Sequence, residues 1–166
     1  HPRLNSTMAT KYPSLLKLDV NHFNKKPRVR ISVMPQKYSN ILEPKMQPIE
    51  DRLREGARLR KLGWEVHINF SPIIFYPKGS LLYDELFKMA KDILGETPCE
   101  IIALTNHDLQ MAKASPEAQE LMKYSSEVKN SSGVKRYPIK AKRKSLDKLV
   151  NIYCQYFKRS SIRYIF

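Results

Sequence analysis

The stretch Val29–Pro44, VRISVMPQKYSNILEP, decides how the rest of the chain is read. Val29, Ile31 and Val33 alternate with Arg30, Ser32 and Met34, the two-residue period of a strand with one buried face. The alternation stops at Pro35. A polar turn follows, and Glu43-Pro44 stands just before a long amphipathic run. Proline keeps the residue before it extended, so Glu43 is held out of the coming helix and its carboxylate stays in the turn. There it is expected either to accept backbone or arginine hydrogen bonds or to serve simply as the lead-in to the helix. The segment therefore reads as strand, strand-end loop and helix approach.

Working outward, PIEDRLREGARLRKLG (48–63) predicts a helix. Pro48 suits its start, Glu50 and Asp51 suit its positive end, and Gly63 suits its stop. Ile49, Leu53 and Ala57, four apart, form its expected buried stripe. WEVHINFSPIIF (64–75) predicts the next strand. Ser80 is expected to cap a helix with Leu82, Leu86, Met89, Ala90 and Ile93 on one face and Gly95 at its end. CEIIALTN (99–106) reads as a third strand, and Ser115-Pro116-Glu117 as the start of a third helix. This β-α-β-α-β-α order predicts parallel strands joined by right-handed crossovers. Lys11, after MAT, marks the end of a further strand. So few parallel strands cannot close a barrel, and their open edges invite another chain.

The pattern changes after Tyr124. SSEVKNSSGVKRYPIKAK (125–142) reads as a basic β-hairpin turning at Gly133. Ser145 is the expected cap of a last helix presenting Leu146, Leu149, Val150, Tyr153 and Phe157, and SIRYIF closes the chain as a short strand. The whole is read as one domain over 1–166: an α/β half-barrel over 9–124, the hairpin over 125–143, and a helix with a strand over 144–166.

The 166 residues are 42% hydrophobic, enough for one packed core, and hold no run long enough to cross a bilayer. The chain opens on His1, which reads as processing, truncation, or an internal start at Met8. Residues 1–20 lack the pattern of a secretory signal. Cys99 and Cys154 lie in no metal-binding spacing and are both expected to be small buried hydrophobes. With no signal and two unpaired thiols, the expected location is intracellular: cytoplasm, or a nucleus. The formal net charge is +14. Half of it falls in residues 123–148, where Lys123, Lys129, Lys135, Arg136, Lys140, Lys142, Arg143, Lys144 and Lys148 face only Glu127 and Asp147. Such density points to a phosphate backbone or another polyanion.

Ligands in parallel α/β folds bind at the carboxyl ends of strands. Those ends are Ser32–Pro35, Asn69–Pro72 and Thr105–His107, with Lys11 at a fourth. His107 is a candidate through its place. His67, inside a strand, is expected to be a satisfied structural histidine.

TKY (10–12), RVRISVM (28–34), LEPKMQPIEDRL (42–53) and LGWEVHINFSPII (62–74) resemble the C-terminal half of the spore photoproduct lyase family, radical S-adenosylmethionine enzymes of DNA repair. The match is close to Phe75 and looser beyond, where KRYPIK (135–140) resembles the family's G-R-Y-G-I-G hairpin. The resemblance implies the C-terminal half of a partial (β/α)6 TIM-like barrel. It implies that Lys11 and Ser32 contact the amino-acid end of S-adenosylmethionine, with Ser71 near the same cofactor. It also implies that Lys135, Arg136, Tyr137, Lys140, Lys142 and Arg143 meet DNA. The family's CxxxCxxC motif, its hydrogen-donating cysteine and its relay tyrosines are not in this sequence. A [4Fe–4S] cluster is then expected only from a missing segment or a second polypeptide completing the barrel. The alternative is a non-catalytic basic subunit, binding nucleic acid or structural, derived from the same fold. A third reading is an interaction module for an acidic protein.

Overall fold

The computed structural model describes residues 7–75, 79–103, 115–124, 128–129, 135–136 and 139–165. Strands β1 (Thr7–Thr10), β2 (Arg28–Val33), β3 (Glu65–Ile73), β4 (Cys99–Ala103) and β7 (Ile162–Ile165) form one sheet in the order β1-β2-β3-β4-β7, with every neighbouring pair parallel. The strand expected before Lys11 is β1, and the closing SIRYIF contributes β7 beside β4. The sheet is open, with β1 and β7 as its edges. It is the α/β half-barrel expected, with five strands. Two-residue strands β5 (Val128–Lys129) and β6 (Lys135–Arg136) pair antiparallel as a separate hairpin.

Helices α1 (Gln36–Leu42), α2 (Ile49–Lys61), α3 (Ser80–Leu94), α4 (Pro116–Tyr124) and α5 (Ile139–Tyr153) complete the fold. Val29, Ile31 and Val33 of β2 and Val66, Ile68 and Phe70 of β3 are buried. Gly56 of α2 lies against Ile31 and Val66, so this is the face the helices cover, and the lack of a side chain lets α2 approach. The core continues through Phe70, whose ring meets Phe87 of α3 edge-on at 4.9 Å, and through Tyr153 of α5, 5.3 Å from Phe87. Gly63, at φ +91°, ends α2 in the left-handed region against the backbone of Asn21.

Four sequence expectations are corrected. The polar turn after Pro35 contains α1, a two-turn helix started by Pro35, whose carbonyl accepts from the amides of Tyr38 and Ser39; seven residues are too few to show a helical period. The buried stripe of α3 is Tyr83, Leu86, Phe87, Ala90 and Leu94, turned from the expected one because the two aromatic rings carry the most apolar area inward; Leu82, Met89 and Ile93 are only partly buried. Ser80 is the first residue of α3 and makes no capping bond. The last helix begins at Ile139, not after Ser145. Lys140, Lys142 and Arg143, expected in the hairpin, thus fall in its first turns, where straight-chain residues favour helix. Ser115 does cap α4, accepting from the Ala118 amide at 3.1 Å. No helix among the described residues is long and apolar enough to cross a membrane.

Candidate functional site

Lys11 follows β1 by one residue, next to the register pair Thr10–Ile31, and so stands beside Ser32 at the carboxyl end of β2. Its ammonium, partly exposed, is ion-paired to Glu43 Oε1. The other Glu43 oxygen meets Arg52 Nη2 at 2.9 Å. Glu43 is buried, and among the described residues its oxygens have no hydrogen-bond partner beyond these two cations. Arg52 has no exposed surface at all. It donates to the Gln47 carbonyl at 2.6 Å, the Ser32 carbonyl at 3.0 Å and Ser39 Oγ at 3.3 Å. The carboxylate before Pro44 therefore ties the ends of β1 and β2 to the first turn of α2, as its place in the turn suggested. Gln36 adds a tie, its Oε1 accepting from the Ile49 amide at 2.7 Å and capping α2 from outside.

One carboxylate among two cations leaves one positive charge. Arg52 spends its donors on carbonyls and a hydroxyl, so the surplus is presented by the half-exposed Lys11. Next to it, the Asn69 amide donates to Ser32 Oγ at 3.4 Å, while Asn69 Oδ1 is buried with no hydrogen-bond partner among the described residues. The strand ends thus offer an ammonium, a hydroxyl and an unmet acceptor. That set suits a zwitterionic amino-acid group, with Lys11 toward its carboxylate and Asn69 Oδ1 toward its ammonium.

The structure brings Lys11 and Ser32 together through Glu43 and Arg52. Ser71 is half-buried, two residues beyond Asn69 on β3, and no contact among the described residues joins it to this network. Lys135 and Arg136 form β6; Lys140, Lys142 and Arg143 lie in α5, Arg143 exposed. Tyr137 and the strand-end candidate Thr105–His107 lie outside the described residues. The sequence reading placed Asn69 at a strand end without giving it a role, and it did not single out Arg52. A signal for Arg52 existed, since it lies on the same helical stripe as Ile49, Leu53, Gly56 and Leu59, where a charge is out of place unless paired.

The sheet face opposite the helices is polar. His67 is buried, its Nε2 2.8 Å from Glu65 Oε1, which Arg28 also holds at 2.9 Å. Burial, with help from Arg28 and Arg163, pushes the imidazole below its usual range despite Glu65. The structural role expected for His67 fits this pairing, although its Nδ1 is buried without a partner among the described residues. Arg30 reaches Glu100 at 3.1 Å and Tyr164 at 3.2 Å across three strands.

Cys99 is buried as expected, its thiol 3.2 Å from Tyr153 Oη and pushed up to about 12 by burial. Cys154 is exposed, against expectation, because α5 ends at Tyr153 and the chain turns outward. No group of three His, Cys, Asp or Glu among the described residues suits a metal ion. The residues present do not fit an iron–sulfur cluster, which needs several thiolates converging.

No family profile matches the chain. The spore photoproduct lyase of Clostridium acetobutylicum is 24% identical over 104 residues, 63% of this chain and 31% of that protein. Solved structures of spore photoproduct lyase cover 96% of this chain at 18% identity. A tyrosine-to-phenylalanine mutant superposes with a TM-score of 0.66 and a cysteine-to-serine mutant with 0.63. A double mutant with bound AdoMet and dinucleoside spore photoproduct superposes with 0.61. The chain spans 49% of each of these structures, about half their length. In fold, and in a weak sequence match, it is similar to the C-terminal half of spore photoproduct lyase.

Proposed function

We propose that this chain is the cofactor- and DNA-contacting half of a spore-photoproduct-lyase-like radical enzyme whose [4Fe–4S] cluster is carried by a missing segment or a second polypeptide. The observation that carries the reading is the surplus cation at the strand ends: Lys11, held by Glu43 beside Ser32 and the unmet Asn69 Oδ1. Lys11 would bind the carboxylate of S-adenosylmethionine, Ser32 and Asn69 its amino group, and Ser71 would flank it. The cofactor, when bound, supplies radical chemistry on a DNA lesion. This chain's own part is to orient the amino-acid end and to hold the nucleic acid through Lys135, Arg136, Tyr137, Lys140, Lys142 and Arg143. A neighbouring structure that holds AdoMet and a dinucleoside spore photoproduct supports the reading by likeness.

Isothermal titration of S-adenosylmethionine into the purified chain tests it. Binding that Lys11→Ala weakens about tenfold or more, the worth of a charge-assisted contact, is expected. No binding at millimolar cofactor, or binding unchanged in Lys11→Ala, would sink it. One observation favours a second reading, a non-catalytic basic subunit: the described residues bring no cluster ligands together. Nucleic-acid binding without cofactor binding selects that reading.

A further inference from the structure

The network at the strand ends holds two cations and one anion, and their situations differ. Arg52 has no exposed surface, so it adds charge to the site without touching a ligand. Lys11 carries the accessible ammonium, its side chain 39% exposed. Glu43 lies between them with its side chain 6% exposed, one carboxylate oxygen on Lys11 and the other on Arg52 Nη2 at 2.9 Å. Arg52 needs a carboxylate, because a buried guanidinium is tolerated only when paired. Lys11 does not, because water already reaches it and a partly exposed ion pair adds little stability. The second oxygen of Glu43 therefore rests on a cation that folding does not require it to neutralise.

What that contact changes is the charge an incoming ligand meets. Without Glu43 the strand ends would present two cations, and with it they present one. On a chain of formal charge +14, a lysine backed by a buried arginine would draw any phosphate within reach. Phosphate brings only negative charge. The amino-acid end of S-adenosylmethionine brings a carboxylate together with an ammonium and a sulfonium. One surplus charge holds that carboxylate, whereas a second would repel the cations behind it. Asn69 Oδ1, buried and unmet among the described residues, offers the ammonium an acceptor for which phosphate has little use. Specificity is a difference of affinities, set as much by what is repelled as by what is held.

We propose that Glu43 is the specificity-determining residue of the strand-end site: by holding the surplus at one positive charge, it admits a zwitterionic amino-acid group and turns phosphate away. This rests on the proposed function above. The test follows the amide chemical shifts of Lys11, Ser32 and Asn69 in the isotope-labelled protein. S-adenosylmethionine and inorganic phosphate are titrated separately at constant ionic strength. The cofactor should saturate the wild-type protein at concentrations where phosphate leaves these amides unmoved. Glu43→Gln keeps the side chain's shape and an oxygen for Arg52 but removes the charge. Its phosphate affinity should rise about tenfold or more while its cofactor affinity holds or falls. A purely structural Glu43 would instead lower both affinities together. Adding Lys11→Ala should abolish the phosphate gain, and Glu43→Asp, which retains the charge, should keep the wild-type preference. Phosphate that saturates the wild-type amides as readily as the cofactor does would overturn the proposal, whether or not the variants fold. So would an unchanged preference in a folded Glu43→Gln, or an equal loss of preference in Glu43→Asp. If the wild-type protein takes no cofactor, the functional reading falls. The restraint that Glu43 places on anions then stands if Glu43→Gln gains phosphate, and falls if it does not.

Discussion

Among the described residues, Arg52 is the largest side chain with no exposed surface, and it is charged. A buried guanidinium is tolerated only where its donors are met, and Arg52 meets two carbonyls, a hydroxyl and the Glu43 carboxylate. Removing it would strand Glu43 with Lys11 as its one cation and leave two carbonyls without their donor. Arg52→Ala is expected to cost about 3–5 kcal/mol, the usual penalty for breaking a buried pair from one side. Lys11→Ala, which removes a partly exposed partner, should cost well under 1 kcal/mol by the same measurement. Urea unfolding followed by circular dichroism checks both. Equal, small effects would mean that Glu43 is not the joint between the strand ends and α2.

At the scale of the element, β3 carries the pH response. Its His67 is buried beside Arg28 and Arg163, and the imidazole is held below the usual 6.5. A histidine depressed on folding takes up its proton more readily in the unfolded chain. Its contribution is therefore intact above about pH 6.5 and is lost as pH falls below it. Unfolding free energy measured from pH 7.5 down to 5.5 should decline, and His67→Gln should flatten the slope by up to about 1.4 kcal/mol per pH unit. Parallel slopes in the two proteins would remove His67 as the cause. The strand itself was legible, because Val66, Ile68 and Phe70 alternate with Glu65, His67 and Asn69. So were β2, α2, the strand before Lys11, and the place of Glu43 in its turn. What escaped reading was set by distant contacts: α1 is too short for a period, α3 turns to seat Tyr83 and Phe87, and the partners of Arg52 come from segments up to 20 residues away. Local pattern tells which residues must be inside, and only the assembled core tells what they meet there.

At the scale of the molecule, charge and fold pull in one direction. The basic residues of 123–148 adjoin the hairpin of β5 and β6 and the first turns of α5, while the opposite end of the chain supplies the open β1 edge. If the hairpin and helix start bind phosphates, affinity must fall with salt, since each neutralised phosphate releases condensed counterions. Fluorescence anisotropy with a labelled DNA duplex, between 50 and 200 mM salt as roughly the useful window, should give a linear log–log plot. Lys135→Ala with Arg136→Ala should lower its slope by about 2, one unit for each lost phosphate contact, and weaken binding uniformly across sequences. The same pair of substitutions should leave the S-adenosylmethionine affinity proposed for Lys11 unaffected, because β6 is no part of the five-stranded sheet that carries Lys11 and Ser32 at its strand ends. An unchanged slope would move the nucleic-acid surface elsewhere on this +14 chain. Absence of DNA and RNA binding at low salt would instead favour an acidic protein as the partner of the basic region.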